Sequence, residues 1–255
     1  MKIQKVIHSC DDKEFYSDFW PIVSKIWKLK FNIEPVLLYF GTGNPTEEYG
    51  EVIKMEILPD VPINTQCQLS RYWIPVTEPE TVWMTSDIDM LPISKNYFIK
   101  NIETISDDKF ISMNSDPREI YPHILYQCCY NVAKGRTFTE LLDINPSWKE
   151  FMSTGFYKEN TYTYTPDGLV VGSCRHWGAD ECWSSGKINK FKDQKRIIRQ
   201  YRKCGRHQCH RIDRIDWKWT IGEVRNDKFY DCHSLRPYKA HKESIDKLVE
   251  LILET

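Results

Sequence analysis

Apolar and polar positions alternate between two periods along the first ninety residues. Lys5 to Cys10 is a short apolar run broken by Asp11-Asp12, the pattern of a buried strand. From Phe15 to Leu29 the spacing changes, with Phe15, Phe19, Ile22, Val23, Ile26 and Trp27 on one helical stripe. Pro35 to Gly41 and Val52 to Leu58, the latter ended by Pro59, predict a second and a third strand. Ile63 to Ile74 predicts a helix entered through Asn64 or Thr65 and stopped by Pro75. Val82-Trp83-Met84 then leads a further strand into Asp87-Ile88-Asp89. Strand, helix, strand, strand, helix, strand predicts an α/β fold on an open, mostly parallel mixed sheet.

The second half is less regular. Lys109 to Asn114 and Ile124 to Val132 predict strands, and about Thr137 to Leu142 a helix. Gly168 to Cys174 reads as a strand running toward His176-Trp177-Gly178-Ala179-Asp180-Glu181. Glu243 to Leu253 carries Ile245, Leu248, Val249 and Ile252 on one stripe, predicting an amphipathic terminal helix. No repeat or low-complexity linker divides the chain. The expectation is one domain over 1–255, read in two halves, 1–100 and 101–255.

Composition narrows the classes. At 255 residues with 41% hydrophobic content the chain can bury a full α/β core. A formal net charge of −1 gives no global drive toward nucleic acid or an anionic membrane. Nine cysteines at irregular spacing fit free thiols in a reducing compartment better than a disulfide framework. Asp11, Asp12 and Lys13 precede any apolar leader core, and the longest apolar runs are far too short to span a bilayer. The expected location is therefore the cytoplasm.

Asp87 and Asp89 are the first candidate chemistry. In an extended backbone, residues two apart share a face, so both carboxylates would point one way while Ile88 turns to the core. Paired carboxylates repel unless a cation or a proton lies between them, and a hard divalent metal is one solution. A turn-capping Asp87 beside a solvated Asp89 is the other. Ligands of open α/β sheets sit at the carboxyl ends of strands, where Asp11-Asp12 and Asp87/Asp89 both fall.

With these blocks in this order, the chain resembles nucleotide-sugar-dependent glycosyltransferases of the GT-A fold. It looks most like the short soluble forms of bacteria and of large DNA viruses. Ser86-Asp87-Ile88-Asp89-Met90 is similar to that family's Asp-x-Asp motif, which holds a divalent metal against the donor diphosphate. Arg71, in Gln66-Cys67-Gln68-Leu69-Ser70-Arg71, resembles the helix arginine that reaches the donor. Ser9-Cys10-Asp11-Asp12 with Tyr16 resembles the nucleoside-reading loop, and Cys129-Tyr130-Asn131 the segment lining the donor sugar. Asp180-Glu181 resembles the acidic pair near the sugar and acceptor hydroxyls, where either acts as catalytic base or orienting group. Asp231 to Tyr238 with Lys239 resembles the loop that returns a histidine, here His233, to the metal and sends Arg236 and Lys239 to the phosphates.

The resemblance implies an enzyme moving a hexose from a nucleotide sugar, UDP-linked by preference, to a glycan, glycoprotein or other hydroxyl acceptor. Asp87, Asp89 and His233 make an O,O,N ligand set that suits Mn²⁺ better than Mg²⁺. The pattern leans toward retention of anomeric configuration. Neither a Walker phosphate loop nor a G-x-G-x-x-G fingerprint is present.

A rival constellation lies between Lys187 and Lys218, where twelve Lys/Arg face three Asp. Within it Cys204, His207, Cys209 and His210 fall near Cys174, His176 and Cys182, with Trp217 and Trp219 for stacking. This defines the alternative, a non-catalytic zinc- or nucleic-acid-binding module. The Cys/His spacing fits no standard finger.

Overall fold

The computed structural model describes residues 1–115, 119–120, 123–124, 126–153, 163–165, 168–170, 179–201 and 210–255. The fold is mixed α/β, with a seven-stranded central sheet flanked by helices. Two compact units make up the chain: Met1–Met55, Ser86–Ile105 and Arg202–Thr255 form the first, Glu56–Thr85 and Ser106–Tyr201 the second. In chain order the strands are β1 (Lys5–Asp11), β2 (Glu34–Phe40), β3 (Glu51–Lys54), β4 (Val82–Thr85), β5 (Met90–Pro92), β6 (Phe110–Ser115), β7 (Glu119–Ile120), β8 (His123–Ile124), β9 (Asn131–Lys134), β10 (Thr163–Thr165), β11 (Gly168–Val170), β12 (Ile197–Tyr201), β13 (Arg211–Asp213) and β14 (Asp231–His233).

In the first unit β1, β2 and β3 run parallel, with Lys5 opposite Glu34 and Val36 opposite Glu51. Every residue of β2 after Glu34 is buried, which is why that stretch reads as a continuous apolar run rather than an alternating one. β3 stops at Lys54, short of the expected Leu58; its Val52 and Ile53 are only half-buried. The expected helix over 15–29 is broken into Glu14–Ser17, Trp20–Ile26 and a wider turn over Trp27–Phe31. Pro21 has no N–H to return to an earlier carbonyl, so it is accommodated in the first turn of a new helix. Trp20, Val23, Ile26 and Trp27 are buried, and Trp27 meets Phe31 and Phe98 at 4.9 and 5.1 Å between ring centres. The terminal helix forms as expected over Lys242–Glu254, burying Ile245, Leu248, Val249 and Ile252.

A second, three-stranded sheet in the same unit has the order β13-β14-β5. β14 runs parallel to β13 and antiparallel to β5, placing Asp213 opposite His233 and His233 opposite Met90. Three-residue β5 has too few positions to show a period, and the sequence pattern does not predict it.

The second unit contains β12, β6, β9 and β4. β12 is parallel to β6, and β9 runs antiparallel to both β6 and β4. β9 starts at Asn131, so the expected strand from Ile124 is corrected: Ile124 pairs instead in the short β7–β8 hairpin. The expected helices appear as Ile63–Trp73 and Gly135–Leu142, and Trp148–Ser153 adds one that the apolar pattern does not predict. The core they share with the helix Ala179–Lys190 is aromatic, with Tyr72 near Phe138 and Trp183 at 6.2 and 5.9 Å. Of the expected strand over 168–174, the described part is β11; the rest lies outside the described residues. Among the described residues no helix is long and apolar enough to cross a membrane.

Gly135 opens its helix directly against backbone. A Cβ there would lie 2.1 Å from Pro75 O and 2.5 Å from Glu78 O. Neither carbonyl can rotate away as a side chain would, so the collision outweighs the helix propensity Ala adds. Gly135→Ala should destabilise by about 2 kcal/mol, lowering Tm by roughly 4–8 °C for a chain of this length. Thermal unfolding followed by circular dichroism measures it; an unchanged Tm would contradict this packing.

Candidate active site

The chain turns where the paired acids lie. β4 ends at Thr85, and Met90 N–H donates back to Asp87 O at 3.2 Å. The expectation that Asp87 and Asp89 share one face of an extended strand is therefore corrected, because period two does not apply inside a turn. Ile88 is buried as expected, Asp87 is half-buried and Asp89 is 4% exposed. Ser86 is buried; its N–H donates to Ile7 O at 3.0 Å, and its hydroxyl donates to Asp87 O at 3.1 Å.

Burial of a carboxylate requires compensation. Oδ2 of Asp89 receives it from three sides: Arg214 Nη1 at 3.2 Å, Arg236 Nε at 3.4 Å and His233 Nε2 at 3.5 Å. The three-stranded sheet explains the convergence. Asp89 immediately precedes Met90, which is opposite His233, and Ser234 N–H donates to Asp89 O at 3.0 Å to hold the register. On the other side of β14, Asp213 Oδ2 lies 3.5 Å from His233 Nδ1. Burial alone would depress the imidazole pKa, but the Asp213 and Asp89 carboxylates overcome it and raise it above 6.5.

Arg236 also reaches the loop after β1. Its Nη1 donates to Tyr16 Oη at 2.8 Å, and its guanidinium lies 4.8 Å from the Phe15 ring centre and 5.3 Å from that of Tyr16. Tyr16 and Arg236, 220 positions apart, are thus brought together. Ser9 is half-buried and Cys10 buried in β1. Asp11 is buried and held by Lys13, through its N–H at 3.1 Å and its ammonium at 3.0 Å. Lys239 is not drawn to Asp89; it pairs with Glu14 at 3.0 Å and Asp18 at 3.5 Å on the surface. Asp12 braces the loop after β2, accepting from Tyr39 Oη, from Thr42 N–H at 2.9 Å and from Gly43 N–H at 3.2 Å.

In the second unit two more candidates meet. Arg71, on the helix Ile63–Trp73, donates from Nη2 to Asp180 Oδ2 at 2.7 Å, with both side chains almost fully buried. Asp180 and Glu181 occupy the first turn of the helix Ala179–Lys190, where the helix dipole favours acids, and Glu181 N–H donates to Asp180 Oδ1 at 2.9 Å. Buried Asn131 donates from Nδ2 to Tyr72 Oη and Gln127 O, both at 2.9 Å, while its Oδ1 has no hydrogen-bond partner among the described residues.

Sequence reasoning misses Asp213 and Arg214. Their only signal is the alternation Arg211-Ile212-Asp213, a short buried strand concealed within a basic stretch. The described part of that stretch is not one open basic face: Lys187 pairs with Asp143, Arg196 with Glu140, Arg211 with Asp231 and Arg214 with Asp89. His210 stacks on Tyr230 at 4.7 Å; Cys204, His207 and Cys209, like Cys174 and His176, lie outside the described residues. Among the described residues no three His, Cys, Asp or Glu side chains are gathered as a metal ion would require.

No protein-family model matches the chain, and no curated protein matches it. Solved structures do. The galactosyltransferase LgtC in complex with donor and acceptor sugar analogues aligns over 98% of this chain and 95% of its own, at TM-score 0.52 and 10% identity. The chain has the GT-A fold. An active-site mutant of LgtC aligns over 92% of this chain and 88% of its own, at TM-score 0.51 and 10% identity. A glycosyltransferase involved in glycosylating the major capsid of PBCV-1 aligns at TM-score 0.47, over 96% and 99%, also at 10% identity. At such identity the likeness to LgtC concerns the fold alone.

Two measurements test this geometry. Tyr39 above all, then Thr42 and Gly43, lower the Asp12 pKa from 3.8 to about 2. A folded-state value below the unfolded one stabilises above about pH 4 and loses that effect as pH falls toward 2. Asp12→Asn should therefore lower Tm at neutral pH, and the gap to the parent should close between about pH 4 and pH 2; a pH-independent gap would refute the assignment. At the buried pair, Arg71→Leu should cost about 3–5 kcal/mol by stranding the Asp180 carboxylate, whereas joint Arg71→Leu and Asp180→Leu should recover most of it. Denaturant titrations of Arg71→Leu, Asp180→Leu and the double variant decide this; additive losses would show that the pair is uncoupled.

Proposed function

We propose that the protein is a metal-dependent glycosyltransferase that moves a hexose from a UDP-linked donor to the hydroxyl of a glycan or glycoprotein. The observation that carries this reading is Asp89, a buried carboxylate with an imidazole 3.5 Å and two guanidiniums within 3.4 Å of one oxygen, on the GT-A fold. Carboxylate and imidazole donors facing each other suit a divalent ion of borderline softness, and the resemblance adds Asp87, on the same turn, as the second carboxylate of an O,O,N set. Asp87, Asp89 and His233 would hold Mn²⁺, or Mg²⁺ in its place. The ion would supply charge neutralisation to the departing nucleoside diphosphate.

The chain's own groups complete the reading. Arg236, joined by Arg214, binds phosphate oxygens, where guanidinium forks are strong partners; Lys239 is assigned the same charge-neutralising part. Ser9, Cys10, Asp11 and Tyr16 receive the nucleoside, and Ser86 and Ile88 shape the turn beneath the diphosphate. Asp180, held by Arg71, orients the donor sugar with Asn131, whose unpartnered Oδ1 is an acceptor suited to a sugar hydroxyl. Glu181 handles the acceptor hydroxyl. The early acidic loop and late histidine favour retention, which the anomeric configuration of the product by NMR checks. The action is expected in the cytoplasm.

Calorimetric titration of UDP with and without Mn²⁺, alongside a screen of UDP-sugars for released UDP, is the direct test. Equal UDP affinity in both conditions would remove the metal role, and no turnover with any sugar nucleotide would remove the enzyme reading. Asp180→Asn keeps a polar partner for Arg71, so UDP·Mn²⁺ should bind nearly as in the parent while transfer falls about a hundredfold. Parallel losses in binding and transfer would make Asp180 purely structural.

A further inference from the structure

β13 ends in a turn that carries an apolar tip out of the first unit. Ile215 is 91% exposed, more than any other large hydrophobic side chain among the described residues, and Ile221 is 48% exposed. Between them Trp217 and Trp219, both half-buried, alternate with exposed Asp216, Lys218 and Thr220. A single exposed isoleucine is ordinary; two, interleaved with two tryptophans that are not sealed in the core, make a patch. The tip is held in place by its own backbone. Asp213 accepts from three N–H groups: that of Ile215 through Oδ1 at 3.0 Å, and those of Asp216 and Trp217 through its carbonyl oxygen at 3.3 and 2.7 Å. Thr220 and Glu223 close the far end in a reciprocal cap on the helix Ile221–Arg225.

Backbone donors satisfied within the chain let a segment leave water for an apolar medium at small cost. A glycan, which is gripped by free donors and acceptors, gains little from them. Trp217 has φ 39°, in the left-handed region where glycine fits best, so the turn alone does not account for a tryptophan there. Its amphipathic ring, beside a lysine, suits the headgroup boundary of a bilayer. The exposed charges of Asp216 and Lys218 are opposite in sign, which matches a zwitterionic headgroup layer better than an anionic one. We propose that the tip over 215–221 docks on the surface of a zwitterionic phospholipid bilayer, with Ile215 and Trp217 entering the headgroup boundary. Arg214 and Asp213, at the root of the tip, lie 3.2 Å from Asp89 and 3.5 Å from His233, so the docked surface would lie beside the candidate active site. The docking is independent of any metal and of the chemistry proposed above.

Co-sedimentation of the full chain with phosphatidylcholine vesicles tests this, for the parent, Ile215→Ser, Trp217→Gly and Lys218→Gln. Ile215 already faces water and glycine suits the backbone at 217, so both apolar-tip variants should keep the parent's Tm. About half of the parent should sediment at roughly 1 mM lipid, little changed by high salt or by added phosphatidylserine. Ile215→Ser and Trp217→Gly should each bind about fivefold more weakly, and Lys218→Gln nearly as the parent. A parent that stays in the supernatant, or an Ile215→Ser variant that sediments like the parent, would overturn the proposal. So would binding that needs phosphatidylserine and disappears in high salt, since charge would then carry it in place of the apolar tip. A concentration-dependent dimer in sedimentation velocity, abolished by Ile215→Ser and seen without vesicle binding, would overturn it too and assign the tip to a second copy of the chain.

Discussion

A buried fork between Arg211 and Asp231 carries the geometry of the first unit's site. Nε and Nη2 of Arg211 donate to the two oxygens of Asp231 at 2.9 and 2.8 Å, and Asp231 is completely inaccessible to solvent. Two parallel charge-assisted bonds fix direction as well as distance, which a single point contact would not. They clamp the first residue of β13 to the first residue of β14. Two residues further on, the same register sets Asp213 beside His233, and β5 on the far side delivers Asp89 to the imidazole's other nitrogen. Breaking the fork would strand a buried carboxylate and release that register together.

The fold is legible in sequence because its first half obeys simple periods. β1, β2 and the helix Ile63–Trp73 appear nearly where the apolar pattern puts them, since each buries a face set by local sequence. What escapes is short or dictated by distant partners. β5, β13 and β14 have three residues each, too few for a period, and they exist as strands because they pair with one another. The single helix expected over 15–29 fails because stripe counting ignores what Pro21 does to the hydrogen-bond ladder.

The site follows the same division. Asp89, His233, Arg236 and Tyr16 are all candidates from sequence, and the first unit brings the four together. Arg71 and Asp180 are candidates for separate duties, and the second unit joins them as an ion pair. Strand alternation is the wrong reason for pairing Asp87 with Asp89, since a turn holds them. Asp213 and Arg214 are hidden by the basic residues around them. Composition over thirty residues gives average charge, whereas a buried cluster depends on which individual charges are paired.

The pairing at Asp89 also bears on how anything charged finds the protein. Two carboxylates and two guanidiniums packed within a few ångströms cancel at long range, leaving little field beyond a Debye length of about 8–10 Å. With a formal net charge of −1, the chain as a whole adds no attraction for anions. An anionic ligand would then arrive by unassisted diffusion, at rates nearly indifferent to ionic strength, and the positive groups would be felt only after contact. Selectivity among polyanions would thereby be deferred from the approach to the moment of contact.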